Sequence, residues 1–184
     1  PDPAMITAVT EAEERRYAEL QHLGLECARR GDTELLRSMV EAGLPVNLAD
    51  AKGNTLLMLA AYHGHAGTVR MLLERGAEVD RRNDRGQTPL GGVAFKGDEE
   101  IVALLLAHGA EVDADNGGGM TPIMFAALFG RTRVVEQLRR HGASLRRRNR
   151  LGISARLLVW ISGWLARLRG RVKGLAPRFG YAST

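Results

Sequence analysis

A period of 33 residues runs through this chain and restricts it to folds built by stacking copies of one unit. Gly53, Gly86, Gly119 and Gly152 stand 33 residues apart, and Thr55, Thr88 and Thr121 keep step with the first three. Gly31, Gly64, Gly97, Gly130 and Gly163 form a second series. Gly43, Gly76, Gly109 and Gly142 form a third, each followed by an apolar residue: Leu44, Ala77, Ala110 and Ala143. A unit of this length cannot bury its own apolar face, so neighbouring copies must lean on one another to create a core.

Each unit reads as two short helices and an extended turn. In Gly86-Gln87-Thr88-Pro89 a hydroxyl stands at the N-cap and a proline at the first helical position, where its missing N–H has no bond to lose. The helix that follows carries small residues, Ala60-Ala61, Val93-Ala94 and Ala126-Ala127, and stops at a glycine able to take the left-handed conformation. A second helix has Val69, Leu72 and Leu73 on one stripe, matched by Ile101, Val102, Leu105 and Leu106 in the next unit. It ends at the Gly-Ala pair, and Glu78-Val79-Asp80 or Glu111-Val112-Asp113 leads into the turn.

This pattern resembles the ankyrin repeat, whose period and Thr-Pro-Leu-His signature it shares. Thr88-Pro89-Leu90-Gly91 and Thr121-Pro122-Ile123-Met124 depart from the signature at the histidine, and Thr55-Leu56-Leu57-Met58 lacks the proline as well. Loss of the histidine removes a hydrogen-bond network and predicts looser helix starts. The resemblance implies an all-α solenoid of about five units with helical ends. Residues 1–4 read as a cloning remnant before Met5, 5–19 as a helical extension opened by the capping box Thr10-Glu11-Ala12-Glu13, and 20–52 as a divergent first repeat. Repeats at 53–85, 86–118 and 119–151 follow, then a degenerate capping repeat at 152–174 and a tail at 175–184.

Stacking creates a concave groove lined by the turns and the first helices, and the resemblance implies a partner protein bound there, without a small-molecule substrate or cofactor. The implied contact positions on the helices are Tyr62 and His63, Phe95 and Lys96, and Leu128 and Phe129, again 33 apart. Exposed aromatics at such sites suit an interface, although Phe95 and Phe129 could instead lean inward between repeats. The turns add Lys52, Arg82, Asp84 and Arg85, then Asp115 and Asn116, then Arg146, Arg147, Arg148 and Arg150. Gly117-Gly118-Gly119 predicts a third turn free to move and ordered by binding.

Charge supplies a rival. The net charge is +5, but the stretch 137–184 holds twelve Lys or Arg and no Asp or Glu, leaving 14 basic against 21 acidic residues in the remainder. Arg146, Arg147, Arg148, Arg150, Arg156, Arg167, Arg169, Arg171 and Lys173 could meet nucleic acid or an acidic membrane surface, as could Arg139, Arg140 and Arg178. In 153–172 arginines and tryptophans alternate with leucines, as in interfacial helices, while the same residues suit a capping helix with Trp160 or Trp164 against the fourth repeat. A third possibility is an assembly subunit that meets its own copy.

Catalysis and metal binding find no footing in the residues. His63-x-His65 lacks the further ligands a zinc site needs. His65 sits at a structural position of the repeat, and His108 and His141 are placed to bond helix-end carbonyls. Ser38, Ser144, Ser154 and Ser162 stand without an identifiable base. Cys27, the single cysteine, aligns with Ala60, Val93 and Ala126 and reads as a packing residue. No signal peptide follows Met5, and Leu157–Ala166 is far short of the ~20 apolar residues of a membrane span, so a cytoplasmic setting is expected.

Overall fold

In the computed structural model, residues 3–173 are described, with side chains from 10 to 168. The elements are α1 (Pro3–Arg30), α2 (Thr33–Glu41), α3 (Leu56–Tyr62), α4 (Ala66–Glu74), α5 (Pro89–Lys96), α6 (Glu99–Ala107), α7 (Pro122–Leu128), α8 (Thr132–Arg140) and α9 (Ala155–Lys173). Two layers result. The odd-numbered helices pack in sequence from α1 to α9, and α2, α4, α6 and α8 form a second row behind them. The core is one continuous cluster between the rows, with Leu36, Leu56, Leu72, Leu90, Leu105, Ile123 and Leu138 at its centre. The architecture is the all-α solenoid expected from the period.

Local chemistry explains the repeat of each start. Thr55 Oγ1 accepts the Met58 N–H at 3.2 Å, Thr88 Oγ1 that of Gly91 at 3.3 Å, and Ser154 Oγ that of Leu157 at 3.3 Å. Thr121 departs from this reading: its hydroxyl is buried and has no hydrogen-bond partner among the described residues. The first helices end at Gly64, Gly97 and Gly130, whose φ angles of 82°, 88° and 67° only glycine adopts readily.

Side chains at one repeat position then tie unit to unit. Asn47 Oδ1 accepts the Glu78 N–H at 2.9 Å, Asp80 that of Glu111 at 2.9 Å, and Asp113 that of Ser144 at 3.0 Å. His65 bonds the Arg29 carbonyl across repeats at 2.8 Å, whereas His108 and His141 bond the Leu104 and Gln137 carbonyls one turn back at 2.9 Å.

Both ends differ from expectation. The capping box at Thr10 does not open the first helix: α1 begins at Pro3, Thr10 lies inside it, and the extension and the first helix of repeat one form a single rod. At the other end Gly163 does not end a helix. Its dihedrals stay helical, because Trp164-Leu165-Ala166-Arg167-Leu168 continues with good helix formers and offers no capping side chain. The last segment is therefore one long helix in place of a helix pair. Trp160 and Trp164 do not pack on the fourth repeat; they are 61% and 48% exposed, and Ala155, Leu158 and Val159 make the contact instead. Pro1, Asp2 and the tail from Gly174 onward, Arg178 included, lie outside the described residues, as do the side chains of Arg169, Arg171 and Lys173.

Candidate binding groove

Four turns among the described residues project as fingers, each closed by the same backbone bond at 2.8–3.0 Å, and the first three are Asp50 N–H to the Asn54 carbonyl, Asn83 to Gln87 and Asn116 to Met120. Between these fingers and the starts of α3, α5 and α7 lies a hollow of about 580 Å³. Its origin is visible in the repeat register. Met58-Leu59 in one unit and Met124-Phe125 in another occupy the positions that Gly91-Gly92 takes between them. The side chain missing at Gly92 leaves a depression walled by Met58, Leu59, Tyr62, Phe95, Phe125 and Phe129, with Lys52, Asp84 and Arg85 at the fingers.

The walls are organised. Phe95 and Phe129 meet edge to face at 4.3 Å between centroids, with Phe95 half-buried and Phe129 exposed. The Lys96 ammonium stands 4.7 Å from the centre of the Tyr62 ring, a cation–π contact that fixes one wall. Tyr62 and Phe129 each keep 44% of their surface open.

The two glycines are not equivalent. At Gly92 a Cβ would find only Tyr62 Cδ2, at 3.8 Å, an ordinary contact. At Gly91 it would fall inside the carboxamide of Asn116, which reaches back from the following finger. Asn116 Oδ1 accepts the Thr88 N–H at 2.7 Å and the Thr88 hydroxyl at 3.0 Å, while Nδ2 donates to the Ala114 carbonyl at 2.9 Å. The helix start of this repeat is thus not loosened by the missing signature histidine. A polar side chain from the turn that closes this repeat enters the space above Gly91 and ties the start down.

That rearrangement accounts for the triple glycine. In the other fingers the Asx residue braces its own turn: Asp50 Oδ1 accepts from Lys52 and Asn54, Asn83 Oδ1 from Arg85 and Gln87, and Asn149 Oδ1 from Leu151 and Ile153. With Asn116 turned inward, Asp115 takes over one residue earlier and accepts from Gly117 at 2.8 Å and Gly119 at 3.0 Å. Winding the turn this way sets φ to 100°, 64° and 76° at Gly117, Gly118 and Gly119, a run that only glycine sustains. The finger is further tied by Arg82, which donates to the Asp115 carbonyl, and by the Arg150 N–H on the Gly118 carbonyl at 2.7 Å. The expectation of a free third finger is replaced by a tethered one.

The predicted contact residues separate into groups. Lys52, Tyr62, Asp84, Arg85, Phe95 and Phe129 converge on the hollow. His63 and Lys96 line a shallower depression beside it, with Asp98. Partial desolvation, together with the charges of His65 and Lys96, holds the His63 imidazole below its ordinary pKa. Leu128 is exposed outside the hollow, Arg82 and Asp115 are engaged in the finger, and Arg148 bonds the Gly152 carbonyl at the far end beside Arg150. Asn116, a turn residue by sequence, is 4% exposed, and Gly92 and Phe125 line the hollow without a signature in the sequence, because a groove made by an absent side chain leaves only a glycine as its mark. The basic residues of the C-terminal end also divide: Arg139 and Arg140 pair with Glu136, whereas Arg146, Arg147, Arg148, Arg150, Arg156 and Arg167 have no carboxylate partner among the described residues.

Comparison with known proteins agrees with this architecture. A family model described as ankyrin repeats (many copies) matches residues 39–90, and one described as ankyrin repeats (3 copies) matches residues 78–149. An ankyrin repeat protein of Pseudomonas aeruginosa is 48% identical over 50 residues, a match that covers 27% of this chain and 29% of that relative. With the 33-residue register, the paired helix rows and both models in agreement across 39–149, the chain belongs to the ankyrin-repeat family.

Proposed function

We infer that the chain is a protein-recognition module that takes a segment of a partner protein in its concave groove. Ankyrin repeats are generally protein–protein interaction modules. The observation that carries the reading is the hollow above Gly92, a depression with four aromatic walls whose rim holds two cations, Lys52 and Arg85, against the one carboxylate of Asp84, a shape and charge that suit a bulky apolar side chain beside a carboxylate.

A library of displayed peptides selected on the full chain tests this. The enriched sequences should share a large apolar residue next to Asp or Glu, and the Gly92→Leu protein, with the hollow filled, should enrich none of them. Selection of the same peptides by both proteins, or of none by the unaltered chain, would defeat the reading.

A further inference from the structure

The helix α9 is apolar on the wrong side for a cap. Its packed face is Ala155, Leu158 and Val159, with Ser162 half-buried behind them. On the opposite side Leu157, Ile161, Trp164 and Leu168 follow one another at i, i+4, i+7 and i+11, all of them exposed, with Trp160 and Leu165 on the flanks. That is a continuous apolar stripe presented to solvent by a helix already seated through its other face.

Charge narrows what covers it. The helix contains no acidic residue, Arg156 and Arg167 border the stripe, and the finger before it adds Arg146, Arg147, Arg148 and Arg150. Unlike Arg29, Arg75 and Arg133, which pair with Asp50, Glu41 and Glu99, these arginines are not matched by carboxylates among the described residues. We propose that α9 docks this protein on an anionic lipid bilayer, lying in the interface with its Trp-Ile-Leu stripe among the acyl chains and its arginines on the headgroups.

A bilayer surface meets both demands at once. It gives hydrocarbon to the stripe, an amphipathic depth at which indole rings are favoured, and a layer of negative charge that attracts arginines. Nucleic acid would answer the arginines but leave the stripe wet. A second copy joined stripe to stripe would bring two arginine borders together, which costs Coulomb energy. No helix among the described residues is long and apolar enough to cross a membrane, so the interaction is one of lying on the surface.

The chain's two tryptophans both lie on α9, so intrinsic fluorescence reads this helix alone. Titration of the full chain with vesicles containing about one-third phosphatidylserine in phosphatidylcholine should shift the emission to the blue and sediment the protein with the lipid. Phosphatidylcholine alone should do neither, and added salt should reverse the effect. Substituting Arg156→Gln with Arg167→Gln should weaken binding about 30-fold. Ile161→Ser with Trp164→Ser, both at exposed positions, should abolish it with the helical circular dichroism unchanged. The proposal is overturned if the emission of the unaltered chain ignores phosphatidylserine vesicles at low salt, or if the serine variant binds them equally well. It is also overturned if α9 is found covered in lipid-free solution by a second copy that the serine variant releases, or if duplex DNA binds while the vesicles do not.

Discussion

Two adjacent glycines should respond to the same substitution with opposite sign. Alanine at Gly92 removes backbone freedom from the unfolded chain and adds a helix former, worth about 0.5–1 kcal/mol, and its Cβ meets only Tyr62 Cδ2 at 3.8 Å. Alanine at Gly91 gains no more than that and must evict the Asn116 amide. Eviction leaves the buried Thr88 N–H without its acceptor and strands the carboxamide itself, at about 1–3 kcal/mol for each buried unpaired group. The net expectation is a loss of about 2–3 kcal/mol. At roughly 2–4 °C per kcal/mol for a chain of this size, Gly91→Ala should melt about 5–10 °C below the parent and Gly92→Ala about 1–3 °C above it. Thermal unfolding followed by circular dichroism reads both. If the two variants move in the same direction, Asn116 does not occupy the space over Gly91 and the explanation of the third finger fails with it.

Other consequences follow from single side chains. Thr55→Val should cost about 1 kcal/mol by removing the cap on Met58, whereas Thr121→Val should stabilise by about 1 kcal/mol because it removes a buried hydroxyl that has no partner among the described residues; urea titration compares them. Burial pushes the Asp50 carboxyl up, but its bonds from Asn54 and Lys52 and the nearby Arg29 outweigh this and set it below the ordinary carboxylate value. The stabilisation is present above the unfolded pKa of about 4 and is lost as pH falls through the folded value. Asp50→Asn, which retains the turn bonds as Asn83 and Asn149 do, should therefore flatten the fall in urea midpoint between about pH 5 and 3; parallel curves for the two proteins would contradict this. Cys27 is 1% exposed, and burial pushes its thiol up, so a thiol reagent should label it in urea and leave it untouched in native buffer.

The stacked architecture was legible because it rests on periodicity: glycines and threonines at fixed intervals dictate helix ends and starts, and the apolar stripes dictate two rows. What sequence could not give was contact from one end of a unit to the other. That Asn116, in the closing turn of its repeat, serves the helix start of that same repeat depends on two elements meeting 28 residues apart, and no local propensity encodes it. Position alone leads to Tyr62, Phe95 and Phe129, while the depth of the groove comes from what Gly92 lacks. Phe95 lies between the two readings considered for it, half-buried against Phe129 and still on the wall of the hollow. At the C-terminus the period itself misled, since Gly163 keeps its place in the register but not the left-handed turn that the earlier glycines make.

Hydrogen exchange of the chain with and without a selected peptide bears most directly on the claim that the concave hollow is where a partner docks. Slowed exchange should appear at the fingers around Lys52, Arg85 and Asn116 and at the starts of α3, α5 and α7, with α4, α6 and α8 unchanged. Protection confined to that second row of helices, or to α9, would place the partner on another surface and contradict the account.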